Sequence, residues 1–209
     1  MSVVGAALIQ PIFDLVEKLE SMKPVLPNEV KTGQHENGYS LATIVLSVIV
    51  FESALNRTAY VRGEKRGGPD YFKEIAADKG LAAQVEEIFA VRNVIAHNHL
   101  WEAKITWSND TPLKFAEPPE LREGYGDKRH VKVIDQSTRK SKILGINMFP
   151  ARIWRRDAYI ALRTIAKGLN AIESMDRRYF YLSPNHFRFQ KKTVTFGEMT
   201  DQLTIPQDA

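Results

Sequence analysis

The longest strongly apolar stretch of the chain runs from Leu41 to Phe51 and is closed by Glu52. Its eleven residues fall well short of the roughly 20 that a membrane-spanning helix needs. The stretch lies inside a helix predicted over residues 39–62, which is rich in residues of the buried type and has Glu52 and Asn56 as its polar breaks. We therefore expect a core helix in a soluble, cytoplasmic protein.

The composition supports a folded domain and excludes several chemistries. The chain has 209 residues, 44% hydrophobic and 26% charged, which suits one domain with a proper core. It contains no cysteine, so disulfides, Cys-ligated zinc, iron–sulfur clusters and thiol nucleophiles are ruled out. No basic segment precedes the apolar residues Val3–Ile9, so no secretion signal is expected.

Apolar residues recur at helical spacing in several further segments. This periodicity predicts helices over residues 8–22, from residue 81 onward, and over 150–175. A short helix is predicted over 71–78, with Asp70 as its cap. The predicted fold is therefore mainly α, an up-down helical bundle built from one domain over residues 1–209.

Residues 103–149 differ from the rest of the chain in residue pattern, and we predict that they form an insertion with β structure. We expect a strand at Lys104–Trp107, a loop over Thr111–Asp127, and a β-hairpin that pairs Val131–Ile134 with Lys142–Ile146. Residues 180–209 are predicted to be an extended C-terminal tail, with a strand near Thr193–Phe196.

Charge is unevenly distributed along the chain. Residues 1–127 hold 13 basic and 18 acidic residues, whereas residues 128–192 hold 16 basic and only 4 acidic ones. A net charge of +12 within 65 residues favours a surface that faces a polyanion, although a solvated basic surface is the alternative.

The segment Arg92-Asn93-Val94-Ile95-Ala96-His97 is the one that carries recognisable chemistry. Asn93 and His97 are four residues apart and share a helix face, and the long side chain of Arg92 can reach the edge of that face. Histidine moves protons near neutral pH, and arginine binds phosphate with a bidentate fork. Cleavage of RNA needs little more, because its 2′-hydroxyl is the nucleophile, so no metal or other cofactor is expected.

A structural interpretation of the same residues stays open. Arg92 would then pair with Glu52, Glu86 or Glu87, and His97 would be a hydrogen-bonded residue at a helix end. An Arg and a His at this spacing also arise by chance in unrelated chains.

The Arg92–His97 segment resembles the Arg-x4–6-His signature of HEPN domains, in which Asn commonly follows the Arg. Phe51-Glu52-Ser53-Ala54-Leu55-Asn56 is similar to the helix that lies beside that signature in many HEPN proteins. The resemblance covers residues 39–101 and 150–175, and it leaves out the insertion and the tail.

The resemblance implies a metal-independent endoribonuclease, active as a homodimer in which the Arg92 and His97 motifs meet at the interface. Arg92 would bind the scissile phosphate, His97 would transfer protons, and Asn93 would orient His97 or contact the substrate. Glu52 joins this catalytic set because polar residues of that helix take part in some HEPN families. Such proteins act as toxins or antiviral defence effectors, so an antitoxin or another defence-system protein is a further expected partner.

The basic region is predicted to bind RNA through its backbone phosphates. The candidate RNA-binding residues are Lys128, Arg129, Arg139, Lys140, Lys142, Arg152, Arg155 and Arg156. Phe187 and Phe189 have two interpretations, base stacking or packing of the tail onto the core, and packing is favoured.

Two other functions remain possible at this stage. One is a non-catalytic dimerisation or binding protein that uses the same helices to recognise RNA or a protein partner. The other is a nucleic-acid-binding regulator, but the predicted helices are too apolar for one that reads a groove.

Overall fold

Helices dominate the computed structural model, which describes residues 4–23, 36–97, 101–102, 105–106, 114–115, 120–121, 128–178, 182 and 185–206. The helices are α1 (Val4–Ala7), α2 (Ile9–Ser21), α3 (Glu36–Val61), α4 (Gly68–Ile75), α5 (Lys79–His97), α6 (Lys128–Val133), α7 (Arg155–Met175) and α8 (Phe196–Gln202). The strands are β1 (Trp101–Glu102), β2 (Ile105–Thr106), β3 (Lys114–Phe115), β4 (Glu120–Leu121), β5 (Ile134–Asp135), β6 (Lys140–Ser141), β7 (Phe187–Phe189) and β8 (Lys192–Val194). The predicted mainly α fold is confirmed.

Helix α3 lies at the centre of the fold and contacts α1, α2, α4, α5 and α7. Its residues Ile44, Val48 and Phe51 are fully buried, as the apolar stretch predicts. Among the described helices, α3 alone is long and apolar enough to cross a membrane, with a mean hydropathy of 1.7 over its most apolar window, but half of that window is buried inside the protein. A core helix has the same composition.

Among the described elements, helices α3 and α7 make the most extensive contact, and a glycine permits their close approach. A Cβ atom on Gly168 of α7 would lie only 2.7 Å from Cε2 of Phe51. The Phe51 ring also packs edge-on against Phe72 and Phe89, with ring centroids 5.0 and 6.2 Å away. Phe51 therefore joins α4, α5 and α7 around α3.

The helix boundaries differ by a few residues from those predicted. Helix α4 occupies 68–75 rather than 71–78, with Pro69 in its first turn, a position that suits proline. Helix α7 begins at Arg155, because Pro150–Arg152 form a separate 3-10 turn. The backbone N–H of Trp154 donates to Asp157 Oδ2 over 3.1 Å, which caps the start of α7.

The C-terminal segment is not an extended tail, which corrects the prediction. Strands β7 and β8 form an antiparallel hairpin in contact with α2, and helix α8 packs on α7. Phe196 and Met199 of α8 are buried in the core. A capping box starts α8, since Thr195 Oγ1 accepts the Glu198 N–H and Glu198 Oε2 accepts the Thr195 N–H.

The insertion contains a hairpin, but of the predicted strand residues only Ile134 belongs to it. Residues 131–133 belong to helix α6, and the hairpin pairs Ile134 with Ser141 and Asp135 with Lys140. Residues 142–146 form a turn rather than a strand, because Gly145 has a left-handed φ of 63° and its N–H bonds back to the Ser141 carbonyl. The prediction of a strand at α6 was wrong because Val131 and Val133 favour strands by residue type.

Part of the predicted loop over 111–127 is also paired. Strand β4 pairs with β1, and β3 pairs with β2, so the four strands follow one interrupted antiparallel hairpin. Strand β2 matches the strand predicted at residues 104–107. The other residues of 103–127 lie outside the described part of the chain.

Candidate functional site

Arg92 on α5 forms an ion pair with Glu52 on α3. Arg92 Nη2 lies 2.7 Å from Glu52 Oε1, and the two side chains are 25% and 34% exposed. The guanidinium carbon also lies 5.7 Å from the centroid of the Phe89 ring, a cation–π distance. Of the three carboxylates that the sequence left open as partners, Glu52 is the one that pairs with Arg92.

This ion pair forms part of the wall of a small cavity of about 110 Å³. The cavity lies between α3, α5 and the insertion, and both polar and apolar side chains line it. The lining residues are Glu52, Pro69, Glu86, Phe89, Ala90, Arg92, Asn93, His130 and Val133. Three of the four predicted catalytic residues, Arg92, Asn93 and Glu52, are therefore brought together.

Arg92 has hydrogen-bonding capacity that the described part of the protein does not use. Among the described residues, Glu52 is the one acceptor of a hydrogen bond from the guanidinium, and it engages only Nη2. Arg92 Nε is buried and has no partner within the same part of the chain. A buried donor left without a partner costs about 1–3 kcal/mol, so a ligand that accepts from this group would recover that energy.

His97 lies apart from the cavity. It is the last residue of α5, it is exposed, and it is absent from the cavity lining. Five residues separate it from Arg92, which corresponds to about 140° around a helix. It follows Asn93 by one turn, so it sits on the Asn93 side of α5, about 6 Å further along the axis.

His130 is the cavity residue that sequence reasoning missed. It comes from α6 in the insertion, it is 7% exposed, and Val133 on the same face of α6 lines the cavity with it. The sequence does hold a signal for helix α6: His130 and Val133 are three residues apart, a spacing that puts two side chains on one face of a helix rather than of a strand. Its place in the same cavity as Arg92 depends on how the insertion folds back, which the local sequence does not reveal.

Glu87 fixes the insertion to the helix that carries Arg92. Its buried carboxylate accepts the N–H groups of Ile143 at 2.8 Å and Leu144 at 2.9 Å, one on each oxygen. Trp101 adds a second attachment, since its Nε1 donates to the Met148 carbonyl over 2.8 Å. These contacts hold the segment that follows α6 against α5 and β1.

The predicted RNA-binding residues whose side chains the structure describes fall into two groups, exposed and covered. Lys142 and Arg152 are exposed, and Arg139 and Lys140 are partly exposed, so these four can face a polyanion. The side chains of Lys128 and Arg129 lie outside the described part of the chain.

Arg155 belongs to the interior instead. It is 9% exposed, and its Nε lies 3.0 Å from Oε1 of the fully buried Glu36 side chain. Its Nη2 donates to the Met22 carbonyl over 2.7 Å, so this arginine ties α3, α7 and the end of α2 together. Arg156 is mostly covered and donates to the Gly145 carbonyl over 3.1 Å. Arg155 is therefore removed from the candidate RNA surface.

The two tail phenylalanines pack onto the core, which was the favoured interpretation. The Phe187 and Phe189 rings lie 5.3 and 5.7 Å from the Phe13 ring of α2, and Phe189 is only 2% exposed. Arg163 secures the same region, because its side chain donates to the carbonyls of Thr200 and Leu203. Part of the basic charge thus holds the tail in place.

No protein-family model, curated protein or solved structure matches the chain. Within the described ranges, no three His, Asp or Glu side chains gather in a group that could hold a metal ion.

Proposed function

We propose that this protein is a metal-independent endoribonuclease of the HEPN type. The observation that carries the proposal is the Arg92 guanidinium in a cavity wall, with unused donors among the described residues. Asn93 lies beside it, one turn before the exposed His97. The spare donors suit a scissile phosphate, and an exposed imidazole suits proton exchange with a substrate.

The proposed reaction uses the 2′-hydroxyl of RNA as its nucleophile. The 2′-oxygen loses its proton to a base and bonds to phosphorus, while the bond from phosphorus to the 5′-oxygen breaks and that oxygen gains a proton. Arg92 stabilises the negative charge that develops on the phosphoryl oxygens, and His97 transfers protons. Asn93 orients His97 or contacts the substrate, and Glu52 holds Arg92 in place. The products are a 2′,3′-cyclic phosphate and a 5′-hydroxyl.

A homodimer is part of the proposal, because one chain keeps His97 outside the cavity lined by Arg92. In a dimer, the exposed His97 of one chain can approach the Arg92 cavity of the other. A partly exposed apolar stripe on α3 supports this arrangement, since Val45 and Ile49 lead along one helix face to Glu52. Ile49 is 37% exposed, an apolar surface that a second subunit would cover.

The biological setting is proposed from the same resemblance. A cytoplasmic toxin or antiviral defence effector would cleave cellular RNA and would be restrained by an antitoxin or another protein of its system. The exposed basic residues, such as Lys142 and Arg152, would bind RNA without regard to its sequence.

A second candidate function is a non-catalytic dimerisation or binding protein. The position of His97 outside the Arg92 cavity favours it, because general acid–base catalysis needs hydrogen-bond contact with the reacting group. Such a protein would bind RNA or a protein partner in the cavity and would leave RNA intact.

The test is RNA cleavage by purified protein in the presence of EDTA. Arg92→Ala and His97→Ala should each reduce cleavage by at least about 100-fold, the usual contribution of a proton-transfer group, and should remove any growth toxicity. His186→Ala is the matched control, since His186 is also exposed but lies on the tail. Full cleavage by the His97→Ala protein would refute the proposed catalytic role, and intact RNA with the wild type would favour the binding protein.

A further inference from the structure

We infer that the cavity beside Arg92 is a phosphate-binding site in which His130 is the second binding residue and Glu52 is an internal competitor for the anion. The inference deepens the proposed function, since the identification of RNA as the source of the phosphate rests on it. Binding of the anion itself rests only on the arrangement of Arg92, Asn93, His130 and Glu52 around one cavity.

The size and the lining of the cavity fit a phosphate group. Its volume of about 110 Å³ is well above the roughly 10–15 Å³ that one water molecule needs, so it has room for a group as small as phosphate. Arg92, Asn93 and His130 offer guanidinium, amide and imidazole groups, all of which can donate to those oxygens. Phe89, Ala90 and Val133 form the apolar part of the wall, which strengthens a charge-assisted hydrogen bond.

The two carboxylates of the cavity wall do not both oppose an anion. Glu86 lies 3.6 Å from Lys73 Nζ, so a lysine balances its charge. Glu52 is paired with Arg92 through a single nitrogen, and it occupies only part of the guanidinium. The inorganic phosphate dianion carries twice the charge of Glu52, and both this ion and an RNA phosphodiester can accept two parallel bonds from arginine, so each can compete with the carboxylate.

His130 reaches the cavity because the insertion is fixed in place. Helix α6 contacts α5, and Glu87 of α5 binds the backbone of the following turn at Ile143 and Leu144. The imidazole is 7% exposed and lines the same cavity as Arg92, although 38 residues separate the two in sequence. The insertion therefore contributes a residue to the site, and its role goes beyond covering the bundle.

The competition between Glu52 and phosphate predicts the direction in which a change at Glu52 alters phosphate affinity. Glu52→Gln keeps the shape of the side chain and removes its charge, so phosphate should bind more tightly, by about tenfold for a gain of 1.4 kcal/mol. Arg92→Ala removes the main donor and should abolish binding. A purely structural role for the pair would make both variants bind phosphate equally.

The experiment is an NMR titration of the full-length protein, labelled with ¹³C at histidine Cε1, with inorganic phosphate as the probe and chloride at matched ionic strength as the control. The His130 signal is assigned with the His130→Gln variant. We expect a saturable shift of the His130 signal in the wild type, no shift in Arg92→Ala, and a lower half-saturation concentration in Glu52→Gln. The signal of the exposed His186 should stay unchanged.

The inference is overturned if the His130 signal does not respond to phosphate, if it responds equally in Arg92→Ala, or if Glu52→Gln binds phosphate no more tightly than the wild type. RNA cleavage by the same proteins separates this outcome from failure of the proposed function. Phosphate binding without any cleavage refutes the nuclease and leaves the site in place. Cleavage by His130→Ala with an unchanged KM refutes the site and leaves the nuclease, because this variant has no side-chain donor and we expect its KM to rise about tenfold.

Discussion

Arg92 and Glu52 are 40 residues apart in the chain, yet Nη2 of the first lies 2.7 Å from Oε1 of the second. The pair joins α5 to α3 at the edge of the cavity, where both side chains are partly exposed. Solvent screens a pair of this kind, so its contribution to folding is modest. In the proposed phosphate site, the importance of the pair lies in the charge that it presents to the anion.

The modest stability of this pair gives the first prediction. Arg92→Ala and Glu52→Ala should each lower the free energy of unfolding by about 1 kcal/mol or less, since a partly exposed pair contributes little. Urea denaturation of the two variants and the wild type measures this quantity. A reduction above about 3 kcal/mol would mean that the pair maintains the fold. Any fall in the activity of these variants would then be explained by unfolding.

The contact between Gly168 and Phe51 gives the second prediction. Gly168→Ala would place a Cβ atom 2.7 Å from the Phe51 ring, so we expect the free energy of unfolding to fall by about 1–3 kcal/mol. Gly197 on α8 is the matched control, because a Cβ there meets no atom within 4 Å. Gly197→Ala should leave stability unchanged or raise it by up to about 1 kcal/mol. Thermal unfolding of both variants tests the contrast, which equal effects would contradict.

The buried pair of Arg155 and Glu36 gives the third prediction. Glu36→Gln leaves the guanidinium of Arg155 without a counter-charge in the interior, so unfolding should become easier by about 3–5 kcal/mol. Arg66, whose pair with Glu74 is exposed, provides the control. Arg66→Ala should cost less than about 1 kcal/mol. If Glu36→Gln proved as harmless as Arg66→Ala, the pair would not hold α3 and α7 together.

Asp157 makes stability depend on pH in an unusual direction. Burial raises the pKa of its carboxyl to about 6, against hydrogen bonds from Asn147 and Trp154 that favour the charged form. The folded state therefore holds this proton more tightly than the unfolded state, and stability from this group falls as pH rises from about 4 to about 6. The difference in unfolding free energy between wild type and Asp157→Asn should shrink over that interval by up to about 3 kcal/mol.

Asp135 should show the opposite sign and serves as the control for Asp157. The Ser137 hydroxyl and then the Ser137 N–H donate to its carboxylate, which lowers the pKa of this exposed group. Its contribution is present above about pH 4 and disappears as pH falls through the lowered pKa. Denaturation of Asp157→Asn and Asp135→Asn between about pH 3 and 7 should therefore give slopes of opposite sign relative to the wild type. Parallel slopes would rule out the proposed effect of burial on Asp157.

The basic surface gives the fifth prediction. Lys142→Ala and Arg152→Ala should weaken RNA binding to a similar degree for unrelated sequences, because both side chains are exposed. Each should also reduce the slope of log affinity against log salt by about 0.7 for every RNA phosphate that the variant no longer neutralises. Fluorescence anisotropy at several salt concentrations measures both effects. An unchanged slope in both variants would place the RNA elsewhere on the protein.

The main helices were predictable from the sequence because each carries apolar residues at a regular spacing. The capping pattern of Thr195 and Glu198 around buried Phe196 likewise marks the start of α8 in the sequence. Helix α6 was harder to predict, since its valines favour a strand and only the spacing of His130 and Val133, both buried at the cavity, favours a helix. The turn after β6 depends on Glu87, which lies more than 50 residues away in the chain.

The candidate site was predictable only in part, for a related reason. Arg92 and Asn93 are neighbours in sequence, and their place on one helix follows from local pattern. The choice of Glu52 as the partner and the arrival of His130 depend on tertiary packing, which no local spacing encodes. The net charge of the basic region also overestimates its basic surface. Arg155 pairs with Glu36 in the interior, and Arg163 donates to backbone carbonyls of the tail.

The two hydrogen bonds of Glu87 determine how the insertion can be altered. A chain shortened by removal of residues 134–149 would keep the main helices but would leave this carboxylate buried on α5 without the N–H groups of Ile143 and Leu144. The cost would fall on α5, the helix that also carries Arg92. Deleting the insertion to obtain the helical part alone would thus destabilise α5, a helix of that part.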